Sequence, residues 1–213
     1  VEINLDTLPR TMRGLPRDHR GYPVPWFVAW IGGKPEFRAM DRTARRRAIQ
    51  EKRCWVCGSR LGKDMCFVAG PMCGINRTSA EPPSHIECGR WSAQNCPFLA
   101  NPHMVRREDE AINNQNLRDQ APGIALTRNP GVAMLWITRS YEIFPDGRGQ
   151  VLIQMGKPES VEWWCEGKAA TKEQVADAID SGLPALEAMA RQEFGGLEAL
   201  NRSIRSFQKL LPA

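Results

Sequence analysis

The chain has 213 residues, 42% of them hydrophobic and 25% charged, with a formal net charge of +5; this is an ordinary globular composition, enough for one compact domain or two small ones. No apolar run approaches the roughly 20 residues that cross a bilayer, and the start, Val1-Glu-Ile-Asn-Leu-Asp6, has neither the basic nor the apolar stretch of a secretory signal. The expectation is a cytoplasmic protein with no membrane partner.

In chain order, residues 1–22 are rich in Arg and Pro, lack periodicity and read as an extended basic arm. Pro23–Ile31 and Glu36–Met40 flank Gly32-Gly33-Lys34 and predict a β-hairpin. Asp41 caps a predicted helix through Arg53, with Ala and Ile on one side and Arg42, Arg45, Arg46 and Arg47 on the others. Cys54-Trp-Val-Cys57-Gly58 follows as a tight knuckle. Asp64–Ala69 predicts a strand, Gly70-Pro71 a turn and Met72–Arg77 a strand or loop. Pro82-Pro83-Ser84 then opens a helix over about residues 84–95, carrying His85 and Cys88 in its first turn.

Residues 97–122 read as a connector. Ile124–Thr127, Val132–Thr138, Tyr141–Phe144, Gln150–Gln154 and Val161–Cys165 predict strands, with a turn at Pro145-Asp-Gly147. Thr171-Lys-Glu-Gln174 is a capping box opening a short helix, which Ser181-Gly182 stops and Pro184 follows with a second over 184–193. After Gly195-Gly196, the residues Leu197, Leu200, Ile204, Phe207 and Leu211 recur at helical spacing. The expected organisation is an arm (1–22), a metal-binding region (23–110) and an α+β region (111–213), packed as one unit.

Seven cysteines, two of them in a CxxC matched by His85-Ile-Glu-Cys88, favour metal binding in a reducing compartment over a disulfide framework. Cys54, Cys57, His85 and Cys88 supply two pairs of soft ligands that close a tetrahedral shell, for which Zn²⁺ is the usual occupant. With four protein ligands the zinc is structural. Cys66, Cys73 and Cys96 lack ligand-pair spacing and read as small core residues, although each is near enough to replace a ligand; Cys165 lies beside two tryptophans.

The order of knuckle, hairpin and helix over residues 52–97 resembles the treble-clef zinc fingers. The resemblance implies a zinc core and is silent on activity, because that scaffold serves many functions. Nucleases of the His-Asn-His type place a catalytic His between knuckle and helix. Here the segment between Cys57 and His85 holds no His, and Asp18-His19 precedes the knuckle. No P-loop, GxGxxG or nucleophile elbow is present. A wider set of stretches, among them Arg20-Gly-Tyr-Pro-Val-Pro-Trp-Phe-Val-Ala-Trp30, Gly70-Pro-Met-Cys73 and Cys96-Pro-Phe-Leu99, is similar to a family of uncharacterised bacterial and phage proteins; it implies that residues 20–190 form one unit and supplies no catalytic residues.

Residues 1–110 carry eighteen Lys and Arg against twelve Asp and Glu, whereas residues 111–213 carry eleven against twelve. That asymmetry points to an acidic partner, nucleic acid first, for the N-terminal half. Arg42, Arg45, Arg46, Arg47 and Arg53 are the expected phosphate contacts, while Trp26 and Trp30 are available to stack on bases or anchor a protein partner. The expected fold is α+β, a treble-clef zinc-binding core with an N-terminal β-hairpin and basic helix, on a small antiparallel sheet and C-terminal helices. The expected function is non-enzymatic, a zinc-stabilised protein that binds nucleic acid or, alternatively, another protein.

Overall fold

A computed structural model of the chain describes residues 3–101, 129–146 and 149–212. The predicted strand at Ile124–Thr127, the connector beyond Asn101 and Gly147 of the predicted turn lie outside these residues.

The N-terminal segment is not an extended arm. It turns through a short 3-10 helix at Arg10–Met12 and buries Leu8 and Met12 against Cys54, Val56, Cys88 and Trp91. Leu8 and Met12, helped by the partly buried Ile3 and Leu15, dock it, a spacing too irregular to register as periodicity. Strands β1 (Val28–Ile31) and β2 (Lys34–Met40) form the predicted hairpin. It begins at Val28 because Pro23 and Pro25 have no N–H for a ladder; Trp26 N–H donates to Val56 O at 2.7 Å. Helix α1 (Arg42–Gln50) is capped by the Asp41 carboxylate, which accepts from Ala44 N–H, and turns Ala44 and Ala48 inward.

β3 (Met65–Ala69) matches its prediction, but the residues after it do not. Pro71 occupies the first turn of a helix, α2 (Pro71–Asn76), where its missing N–H costs nothing. β4 (Thr78–Ser79) and α3 (Ile86–Asn95) follow. Next come β5 (Ala133–Thr138), β6 (Tyr141–Pro145), β7 (Val151–Met155), β8 (Pro158–Cys165) and β9 (Lys168–Ala169). Every pairing is antiparallel: β3-β5-β8-β9 form one sheet and β4-β7-β6 another. β3 and β4 therefore belong to different sheets. The hairpin expected between the knuckle and α3 is absent, because each strand finds its partner in the second half of the chain.

β5 explains the core. All six of its residues are buried, and alternation sends Met134 and Trp136 to one face and Ala133, Leu135 and Ile137 to the other. A strand covered on both sides reads as an unbroken apolar run, which is the pattern of Val132–Thr138. On one face, Phe67, Ile75, Trp163 and Phe207 close the larger cluster; on the other, Cys66 and Ala93 bring α3 against β3. Gly89 makes that approach possible, since a Cβ there would lie 2.5 Å from Cys66 Sγ.

The two short C-terminal helices expected on either side of Ser181-Gly182 are one helix, α4 (Lys172–Ala190), with Pro184 inside it. Proline in a helix interior costs ~3 kcal/mol. Packing on both sides of it holds the helix through: Val175, Ala178, Ile179, Leu183 and Leu186 all contact the main cluster. Gly182 serves close packing, since a Cβ there would lie 2.8 Å from the Met72 side chain. Thr171 and Gln174 form the predicted capping box. Helix α5 (Gly196–Phe207) places Leu200, Ile204 and Phe207 on the core and leaves Leu197 exposed. The molecule is thus mixed α+β with small antiparallel sheets; among the described residues no helix is long and apolar enough to cross a membrane.

Candidate metal centre

The ligand atoms of Cys54, Cys57, His85 and Cys88 all lie within 4.8 Å of one another. Two segments converge to place them. In the first, Cys54 N–H donates to Ser59 O and Gly58 N–H to Cys54 O, folding the knuckle back on itself. Gly58 is required twice over: its φ is +74°, and a Cβ would lie 2.6 Å from the Trp26 ring. In the second segment, His85 is the N-cap of α3 and Cys88 lies in the first helical turn.

Cys54 Sγ accepts two backbone hydrogen bonds, from Cys57 N–H and His85 N–H, both at 3.4 Å. Cys57 Sγ lies 3.4 Å from His85 Nδ1, and Cys88 Sγ lies 3.9 Å from it. The other ring nitrogen, Nε2, faces Arg60 O at 3.1 Å. A carbonyl only accepts, so Nε2 carries a proton and Nδ1 is the ring nitrogen turned to the sulfurs, available to a metal once its own proton is displaced, the outer-shell arrangement that orients a metal-binding His. Thr11, from the N-terminal segment, brings its hydroxyl 3.3 Å from Cys88 Sγ and 3.1 Å from the Glu87 carboxylate.

Cys57, His85 and Cys88 are strongly perturbed by their neighbours in the cluster. Hydrogen bonds from Cys54 and Cys88 drive the Cys57 thiol well below its ordinary pKa. The same network drives Cys88 far above its own. His85 is pushed up to about 10 by its hydrogen bonds with Cys54 and Cys57. Donors that compete for protons in so small a volume are donors that a cation can satisfy together.

Cys66, Cys73 and Cys96 stay out of the cluster. Cys66 Sγ donates to His85 O at 3.5 Å and is fully buried, and burial holds its thiol protonated. Cys73 packs on the main core, where burial raises its pKa to about 11. Cys96 is the C-cap of α3. Cys165 is buried in the main core beside Trp163.

The arginines expected to meet phosphate are not one surface. Arg45 is half-buried, donating from Nε to Ala80 O at 3.0 Å and from Nη2 to Val151 O at 2.7 Å, so it ties α1 to the second sheet. Arg47 and Arg53 both pair with Glu51, and Arg53 also donates to Gly58 O. Arg42 and Arg46 are exposed and line a groove of about 450 Å³ between α1 and β7. Trp26 roofs the knuckle with the Arg47 guanidinium 5.7 Å above its ring, whereas Trp30 is 50% exposed. Sequence reasoning missed Thr11 and Arg60. Arg60 acts through its carbonyl, which no side-chain pattern signals, and Thr11 meets Cys88 only through the tertiary fold.

Comparison with protein-family models, with curated proteins and with solved structures gave no match. The resemblance to bacterial and phage proteins gains no support from them, and the function rests on the site's own chemistry.

Proposed function

We propose that Cys54, Cys57, His85 and Cys88 hold one structural zinc ion, and that the protein is a non-catalytic, zinc-stabilised module that binds nucleic acid. The observation that carries the metal reading is the oriented His85: a carbonyl locks its far nitrogen, so its near nitrogen joins three thiols. Bonds of about 2.3 Å to sulfur and 2.0 Å to nitrogen in a tetrahedron put S and N about 3.5 Å apart. The two S···Nδ1 distances, 3.4 and 3.9 Å, bracket that value. Three sulfurs and an imidazole suit zinc, and four protein donors leave no position for a substrate water. The knuckle followed by a helix with the second ligand pair at its start is what supports the treble-clef reading; strands of two sheets stand where that plan has a hairpin.

Nucleic acid is favoured as partner by the excess of Lys and Arg in the N-terminal half. Protein binding has its own support: Trp30 and Phe37, 50% and 40% exposed, project from the β1–β2 hairpin, and exposed aromatic side chains commonly anchor interfaces. The deciding experiment joins elemental analysis of the purified protein with a salt-titrated binding assay on DNA and RNA. One zinc per chain with binding that weakens steeply in salt is the expected result. One zinc without binding moves the function to a protein partner, and no metal overturns the reading of the site.

A further inference from the structure

We propose that the nucleic-acid surface is the face over the metal cluster, not helix α1, and that it grips the phosphates of a duplex. This rests on the nucleic-acid reading above.

Three chain segments bring cations to that face. Arg10 and Arg13 bracket Thr11, whose hydroxyl meets Cys88 Sγ. Arg60 gives its carbonyl to His85, so its side chain starts beside the cluster. Lys52 O accepts from Leu61 N–H, and Arg53 bridges Arg60, placing Lys52 at the same end of the knuckle. All four side chains are exposed. None of the four has an ion pair among the described residues, in contrast to Arg47 and Arg53, which share Glu51, and Arg20, which is held by Asp18. A Cys₃His centre around a divalent cation carries one net negative charge, and Glu87 adds another. Four cations exceed both, so the face keeps a positive surplus that charge balance within the protein does not require.

The aromatic rings near the cluster decide the kind of nucleic acid. Binding of single strands draws on rings that stack on unpaired bases. Here Trp26 lies between Gly58 and Arg47. Trp55 is buried and stacked on Phe27 at 4.7 Å. Trp91 is buried, with its Nε1 donating to Asn4 O. Among the described residues, these three tryptophans are buried or have their ring faces occupied, so none of the three offers a free face to a base. What remains is guanidinium and ammonium, which contact phosphate and position a duplex without reading its sequence.

The test compares two sets of substitutions by duplex binding over a salt series, with zinc content measured for each protein. Changing Arg10, Arg13, Lys52 and Arg60 together to Ala should weaken binding about 100-fold near 0.1 M salt and flatten the salt slope by about 3 to 4, at about 0.9 per lost phosphate contact. Arg42→Ala with Arg46→Ala should change affinity less than about threefold. Arg10→Lys with Arg13→Lys and Arg60→Lys keeps the charge and should keep binding, which separates lost charge from lost fold. Should the α1 pair prove as damaging as the metal-face set, the face is wrong while the nucleic-acid reading stands. Tighter binding to single strands than to duplex would overturn the duplex assignment. A protein with one zinc that binds neither at low salt ends the nucleic-acid reading and this surface with it.

Discussion

The metal face and the sheet around β5 are held together by different physics. The sheet is covered on both sides by large apolar side chains, with Trp136, Phe67, Met134 and Leu135 all but inaccessible. Burial at about 25 cal/mol per Å² is the main stabilising contribution in such a core. The buried cluster at the metal face has six members, Leu8, Met12, Cys54, Val56, Cys88 and Trp91, and two of those are ligands. Ile3, Leu15, Cys57 and Leu61 pack against it only in part, so a metal held by the four clustered side chains would add the cross-link that small domains with little core use to fold. On the proposed reading, one part of the molecule is stable by volume and the other by coordination.

The comparison breaks most sharply on metal removal. A strong chelator should strip hydrogen-exchange protection from residues 3–24 and 52–61 while amides of β5 stay protected. Loss of protection in β5 at the same chelator concentration would mean that the two regions are one cooperative unit. The converse experiment is Trp136→Ala, which removes a side chain that fills the core and donates to Gly156 O at 2.8 Å. It should cost about 3–5 kcal/mol in denaturant unfolding and leave one metal per chain.

Smaller effects sharpen the same contrast. Gly58→Ala forces a side chain into the Trp26 ring and into left-handed backbone, a strain of about 1–3 kcal/mol, and should show as weaker metal retention in a competition with a chromogenic chelator. Thr11→Val removes the hydroxyl beside Cys88 and should lower metal affinity about 10-fold, the scale of other outer-shell contacts. The smallest effect is electrostatic. Burial would raise the Asp18 pKa, but hydrogen bonds from Tyr22 N–H and from the Arg20 side chain and backbone outweigh it, and the net shift is downward. Its stabilisation is therefore present above the ordinary carboxylate range and lost as pH falls through the lowered value. Asp18→Asn should cost about 1 kcal/mol at neutral pH and flatten the acid limb of the stability curve; an unchanged limb would show that other carboxylates set it.

What was legible from sequence follows the same division. The clustering of Cys54, Cys57, His85 and Cys88 could be read because such a cluster leaves a local mark: each pair is spaced by two residues. β5 could be read because a strand covered on both faces is apolar without interruption. The pairing of β3 with β5 and of β4 with β7 could not, since no local pattern names a partner so far along the chain. Local rules also failed where packing overruled them. Gly182 and Pro184 signal a helix end, and the contacts of Ile179, Leu183 and Leu186 carry the helix through. Arg45 reads as a surface charge, yet the carbonyls of Ala80 and Val151 accept from its guanidinium and draw it inward.

The pairing of β3 with β5 also sets an order in time. All four residues of the Cys/His cluster have been made once the chain reaches Cys88, whereas the first residue of β5 is Ala133. At ~5–20 residues per second, synthesis needs roughly 2 to 9 s to cover that interval. Throughout it the metal can seat, while the apolar segment Met65–Ala69 waits without its neighbour, an unpaired edge of the kind that recruits other chains. The Cys/His cluster is thus the first site the nascent chain can finish, and early coordination of a metal there would hold the ends of that segment, through the knuckle and α3, until the rest of the sheet is made.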